Sequence, residues 1–306
     1  MRKGWIFGPL LSDQLRATTF DSGNGPLVSD LLPTEGHAWQ LTTCKAGNQM
    51  SFQQYYIRVH NYYKRNVARV LFRRPLAIRT QLPLISFTFD DFPRSALLVG
   101  GAILNRLGLA ATYYASLGLL GEEAPTGKIF VSGDLTTLLE QGHELGCHTF
   151  SHFHSWETDP GTFQNSITEN RVALGRLLPG ADFKSFSYPI SEPRPLTKAK
   201  IADHFLCCRG GGQSLNVGTA DLNQLSAYFL EKSRDNIQAV ENLIDINREK
   251  RGWLIFATHD ISHDPSRFGC TPEFFEGVVQ YAVRSGARIL PVVRALEAIR
   301  DAAFSK

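Results

Sequence analysis

From about residue 82 the chain alternates short apolar runs with segments of helical spacing. LISFTF (84–89) predicts a strand, SALLVGGAILNRLG (95–108) a helix and ATYYAS (111–116) a second strand. DLTTLLEQG (134–142) predicts a helix, HELGCHT (143–149) a strand, 162–178 a helix and 183–189 a strand. Residues 203–232 are less regular, with FLCC and AYFLEK as strands. A helix over 235–250, a strand over 253–260, a helix over 272–286, a strand over 288–293 and a short closing helix complete the series. Apolar strands separated by helices imply βα units and a parallel sheet shielded from water. Seven or eight such units in about 220 residues suit a closed or nearly closed barrel better than an open sheet.

Residues 1–80 lack this alternation and read as an N-terminal extension to a main domain over 81–306. The first 50 are rich in Gly, Ser, Thr and Asn, with the turn signal SGNG at 22–25. Val59, Tyr62, Tyr63, Val67, Val70 and Leu71 then recur at helical spacing, with Lys64, Arg65, Arg69, Arg73 and Arg74 largely opposite. This predicts a basic amphipathic helix over 59–74, ending near Pro75. It either packs on the main domain with its charges solvated or touches an anionic membrane surface or acidic glycan.

Composition changes this picture little. A formal charge of 32 − 29 = +3 gives no reason to expect a nucleic-acid partner. Five scattered cysteines without a CxxC pair suggest free thiols in a reducing compartment. The apolar stretch Gly4–Leu11 stops at Ser12-Asp13 with no clean small-residue cleavage site after it, which favours a cytoplasmic over an exported location. No run reaches transmembrane length. Oligomeric state stays open.

The chemistry gathers where strands end. Asp90-Asp91 close the first strand, His148, His152 and His154 follow another, and His259-Asp260 end WLIFATHD. Parallel α/β folds place functional groups at such carboxyl ends. Asp, His and His from separate strands suit zinc or a similar divalent ion. Singly, each has a plainer explanation: Asp-Asp before Pro93 and Ser95 caps a helix, and H-x3-H is common by chance. Jointly they are far more specific. Neighbouring side chains of an extended chain diverge, so the two aspartates can face different partners and serve different roles.

These residues, in this order, resemble the polysaccharide deacetylase family, also called the NodB-homology domain or carbohydrate esterase family 4. Its TFDD motif stands as Thr88-Phe89-Asp90-Asp91, its H-[ST]-x-x-H motif as His148–His152, and its hydrophobic run into a histidine as Leu254–His259. The resemblance covers about 82–295. It implies a distorted (β/α)7-type barrel and removal of N-acetyl, in some members O-acetyl, groups from carbohydrate. It also implies one divalent metal held by Asp91, His148 and His152, zinc by default with cobalt or nickel compatible. Asp90 would be the general base as a metal-activated water attacks the acetyl carbonyl, and His259 the general acid.

The third motif departs from the family pattern. The stretch Phe186-Ser187-Tyr188-Pro189-Ile190-Ser191 has Ser187 where the family often has the arginine that holds the catalytic aspartate. Tyr188, Pro189 and Ile190 would still line the acyl site, with the Ile190 N–H available to the oxyanion. Arg209 and Arg94 are the two candidates to replace the arginine. The acidic residue that should orient the histidine is unclear, with Asp203 and Asp221 as candidates. Three other readings compete: an amide hydrolase for a small non-sugar substrate, a non-catalytic glycan binder and a non-haem iron oxygenase. The last usually carries H-x-D on a β-sandwich, whereas here the aspartate comes first on a βα pattern.

Overall fold

The computed structural model describes residues 59–60, 62–63, 66–190, 192–234 and 236–304. Expectations that touch residues 1–58, Lys64, Arg65 or Ser191 lie outside the described residues.

Seven parallel strands close a barrel: β1 (Leu84–Phe89), β2 (Thr112–Ala115), β3 (Glu144–Cys147), β4 (Ser185–Ser187), β5 (Cys207–Gly212), β6 (Leu225–Phe229) and β7 (Trp253–Thr258). Closure comes from β7 returning to β1 in register, from Trp253 opposite Leu84 to Thr258 opposite Phe89. A two-residue β8 (Arg288–Ile289) pairs with the foot of β1, while β2 pairs only with its head, at Thr88 and Phe89. That wedge is the distortion expected of the barrel. The sequence predicts a longer last strand over 288–293. Pro291, which lacks an N–H for the ladder, ends it, and the chain turns into a 13-residue helix instead.

The helices are Ala96–Gly101 in the wider π form continuing into α1 (Ala102–Asn105), then α2 (Ser132–Glu140), α3 (Pro160–Leu177), α4 (Pro195–Ile201), α5 (Ile237–Lys250), α6 (Pro272–Arg284) and α7 (Val292–Phe304). The period of two in β1 sorts its side chains between two cores. Ile85, Phe87 and Phe89 face the helices, where Phe87 and Phe89 lie 5.5 and 5.6 Å from the Phe275 ring of α6. Leu84 belongs with Ile255, Ala257, Leu225 and Cys207 to the inner core, which Val292, Ala295, Leu296 and Ile299 of α7 close from below.

The segment before the barrel is tied to it by polar contacts. Pro75–Ala77 pairs antiparallel with Thr219–Asp221. The fully buried Lys198 of α4 donates to Asp221 Oδ2 at 2.6 Å and to the Ala68 carbonyl at 2.7 Å. The periodicity upstream predicts that Val59, Tyr62, Tyr63, Val67, Val70 and Leu71 form the packed face; all are exposed except Val67, which is half-buried, and Ala68 beside it is buried. Among the described residues no helix is long and apolar enough to cross a membrane. Cys147, Cys207, Cys208 and Cys270 are free and buried.

One acid sits near the barrel foot. Glu144 accepts from Ser185 Oγ at 2.6 Å and from the Val293 N–H at 2.8 Å. Burial pushes its carboxyl up to about 7 despite these bonds. A carboxyl raised on folding keeps its proton in the folded state while the unfolded chain has lost it, so stability falls as pH climbs from about 4.5 to about 7. Glu144→Gln removes that dependence. Melting curves should show the variant gaining on the parent between pH 5 and pH 8, by on the order of 2 kcal/mol.

Candidate active site

The polar groups predicted from three strand ends meet at the carboxyl rim of the barrel. The Asp90 N–H still donates to the Thr258 carbonyl of β7 at 2.9 Å, so Asp90 continues the β1 register. Asp91 does not. Its φ is +61°, followed by Phe92 at +52°, a left-handed turn that β-strand geometry excludes. The two aspartates therefore part because the backbone turns, not because strand alternation separates them. Phe92, stacked on Phe130 at 4.6 Å, anchors the turn in the core.

The second strand end behaves alike. After β3, Thr149 and His152 have φ of +60° and +52°. Ser166 of α3 holds the loop by accepting the Phe150 and Ser151 N–H groups through its hydroxyl, at 3.0 and 3.2 Å. These bonds bring His152 Nε2 to 3.0 Å and His148 Nε2 to 3.6 Å from Asp91 Oδ1. His148 Nδ1 donates to the Ser187 carbonyl at 2.8 Å, which leaves Nε2 as the ligand nitrogen.

Asp91, His148 and His152 are all buried, and their ligand atoms lie within 4.8 Å of one another. Asp91 Oδ1 is buried and faces the His152 and His148 imidazoles without a well-aligned hydrogen bond to either. A buried carboxylate oxygen between two imidazoles fits a divalent cation. Burial opposes ionisation of Asp91, but His152 beside it overrides this and holds its carboxyl far below the usual range. Burial, only partly offset by Asp90, pushes His148 down to about 4, the neutral form a metal needs.

Asp90 has a different set of neighbours. Its Oδ1 accepts from Arg209 Nη2 and, at 3.3 Å, from Ser187 Oγ, which also accepts from Arg209 at 2.5 Å. Burial pushes the carboxyl up, yet Arg209, His148 and His259 together hold it below the ordinary aspartate value. Arg209 is itself fully buried, with its guanidinium 5.2 Å from the Tyr114 ring and 5.5 Å from that of Phe229. Of the two candidates for the missing arginine, Arg209 reaches Asp90. Arg94 is engaged instead by Asp134, at 2.8 and 3.1 Å.

His259 is held by the loop after β7. Asp260 accepts from the Ser266 N–H at 2.7 Å and from its hydroxyl at 2.5 Å. Gly269 packs so closely that a Cβ there would come 2.4 Å from the Asp260 carbonyl oxygen. This turns the Phe268 carbonyl toward His259 Nδ1, at 3.3 Å. The Phe229 ring stacks on the imidazole at 6.5 Å.

Neither predicted partner of His259 is in place. Asp221 is committed to Lys198 and Asp203 is exposed. The carboxylate facing His259 is Glu231, on the 3-10 turn Leu230–Lys232 after β6, with a buried Oε2 that has no hydrogen bond. Burial raises its pKa, and His259 is the main opposing influence. Glu231 was not among the candidates, yet it left a signal: a charged side chain closing AYFLEK must be paired or reach a rim. Tyr188 is buried with its hydroxyl donating to the Asn223 carbonyl at 3.1 Å, so it forms no wall of the site. Pro189 is buried, and Ile190 is half-exposed at φ +71°. His154 accepts the Trp156 N–H, and His263 is exposed beside Glu273.

Residues 78–204 match the family model described as Polysaccharide deacetylase. No curated protein matches the chain. Among solved structures, the Xyl-CE4 domain of a multidomain xylanase from the hindgut metagenome of Trinervitermes trinervoides is 19% identical, with 71% of this chain and 91% of that one covered and a TM-score of 0.52. A CE4 family pseudoenzyme, solved as a mutant, is 12% identical over 71% of this chain and 68% of that one, at a TM-score of 0.50. At such identities the likeness is one of fold.

The donor set predicts one tightly held divalent ion per chain. Metal analysis after dialysis against zinc should find it in the parent. His152→Ala should lower the affinity at least about 10–100-fold, the scale of losing even an outer-shell partner.

Proposed function

We propose, for a chain whose residues 78–204 belong to the polysaccharide deacetylase family, that it is a metal-dependent hydrolase removing N-acetyl groups from a carbohydrate. The observation that carries this reading is the division of labour between two adjacent aspartates. One lies among imidazoles in a three-donor pocket, and the other is held ionised by a buried arginine.

When bound at Asp91, His148 and His152, a divalent ion supplies Lewis-acid activation of the acetyl carbonyl and of water. Asp90 takes the proton as the water oxygen bonds to the acetyl carbon. Arg209 and Ser187 fix the carboxylate and keep it charged, which sets the direction of that transfer. A carboxylate held this low is a weak base, so it acts on an already acidified water. As the C–N bond breaks, the leaving nitrogen needs a proton, and in this reading His259 gives it from Nε2. Its Nδ1–H points to the Phe268 carbonyl, which orients the ring. Acetate and a free amine on the sugar are the products. The exposed left-handed Ile190 at the end of the third motif supports an acyl pocket shaped by backbone more than by an aromatic wall.

The test is acetate release from N-acetylated chito-oligosaccharides, O-acetylated xylan and small acyclic or ring amides, with metal content measured alongside. Asp90→Asn should keep the ion and lose about 10²–10⁴-fold in turnover. An Asp90→Asn protein as active as the parent would overturn the base assignment. Hydrolysis of the small amides alone would overturn the carbohydrate reading. Arg209→Met should lower kcat with metal content unchanged. Ser187→Arg in that background should restore part of the loss, because the new guanidinium starts from the neighbouring strand.

A further inference from the structure

The amino ends of the strands, opposite the rim that carries the aspartates, border an open pocket of about 810 Å³. Arg79, Arg251, Arg288 and Arg294 line it from four separate stretches: the entry to β1, the entry to β7, β8 and α7. Leu82, Leu84, Leu290, Ala298 and Ala302 give it an apolar wall. Its acids are Glu297 and Asp301, and Glu297 is taken up by Arg294 at 3.0 Å. Arg79, Arg251 and Arg288 have no carboxylate within 4 Å among the described residues.

Four guanidiniums against two carboxylates leave the wall with a net charge of 4 − 2 = +2. One of these arginines also sits where the backbone disfavours it. Arg251 follows α5 at φ +47° and ψ +45°, a left-handed position usually given to Gly or Asn, although Gly252 is next in the chain. The Thr80 hydroxyl donates to its carbonyl at 3.1 Å and helps hold it there. Placing an arginine rather than a glycine at that position turns one more guanidinium to the cavity.

We propose that this cavity binds the phosphate group of an organic phosphomonoester. A carboxylate offers two oxygens, enough for a single bidentate fork, whereas a phosphate dianion offers three oxygens to several forks at once. Three guanidiniums without a partner exceed what one carboxylate uses and match what a phosphate uses. The dianion equals the surplus charge of the wall. The volume exceeds that of a bare phosphate, and the leucines and alanines beside the arginines accept an apolar body. The site lies at the far end of the barrel from Asp90, so it anchors or regulates and takes no part in hydrolysis. It does not depend on the deacetylase reading.

The phosphomonoester is either a soluble molecule or a lipid headgroup, and two arms separate these sources. The first is calorimetry of the full metal-loaded chain with octyl phosphate, against octanoate as control, at fixed physiological ionic strength. The second is co-sedimentation with phosphatidylcholine vesicles with and without phosphatidic acid. Arg251→Gln/Arg288→Gln should weaken whichever binding occurs by at least about tenfold, the scale of losing charge-assisted contacts, with acetate release unchanged. Arg79→Gln/Arg288→Gln leaves the α5 cap intact and should weaken it equally, which guards against a misfolded first variant. Absence of binding in both arms, binding that neither double variant weakens, or octanoate binding as tightly as octyl phosphate would each overturn the proposal.

Discussion

The rim of this barrel is organised by one buried ion pair, Arg209 with Asp90. Taking two charges out of water costs several kcal/mol each, and the pair alone does not return that cost. The surroundings complete it: Ser187 Oγ accepts from the guanidinium and reaches Asp90, and the Tyr114 and Phe229 rings flank Arg209. Ser187 is also the joint between the two halves of the site. Its hydroxyl belongs to the Asp90 side, while its carbonyl accepts from His148 Nδ1 and so orients a metal-ligand imidazole. A shift of β4 would therefore disturb the base and the ligand set together.

Local strain follows the same boundary. Among the described residues, Asp91, Phe92, Thr149, His152 and Ile190 are five of the eight non-glycine residues with positive φ, and all five lie on loops leaving β1, β3 and β4. Each costs on the order of 1 kcal/mol or more and persists only because packing fixes it. The Phe92–Phe130 stack and the Ser166 hydroxyl provide that fixing at the first two loops. Strands end on schedule, and ligand side chains are aimed by what the backbone does in the next few residues.

This explains what could be read in advance. The barrel was legible because the strands Leu84–Phe89, Thr112–Ala115 and Trp253–Thr258 are apolar runs and the long helices have their own period, whereas Cys207–Gly212, reading CCRGGG, is no such run. The Asp-His-His cluster was legible because its residues stand beside strand ends at short spacing. Arg209 was not singled out with certainty, because its partner lies 119 residues away and its strand follows the one where a family pattern puts the arginine. Glu231 was hidden for a similar reason: a turn after β6 comes near a histidine after β7 only once those two strands pair. The helix upstream failed differently. Spacing identifies a face but not what covers it, and the segment is anchored through the Ala68 carbonyl, the Arg74 N–H and the Arg74 guanidinium, which the spacing puts on the solvated side but which donates to the Phe205 and Leu206 carbonyls.

Fold alone does not imply chemistry, so the case for catalysis rests on what these residues cost. A barrel lumen filled with apolar side chains would be as stable as one holding Arg209 and Asp90, or more so. An Asp91 freed from its left-handed turn would relieve strain. A Glu231 replaced by an apolar residue would remove a buried oxygen that no group satisfies. Each choice works against stability, and all of them lie at the carboxyl rim of the barrel. Stability gives no reason to keep that combination, whereas the proposed hydrolysis would use it as a proton acceptor, a cation pocket and an oriented imidazole.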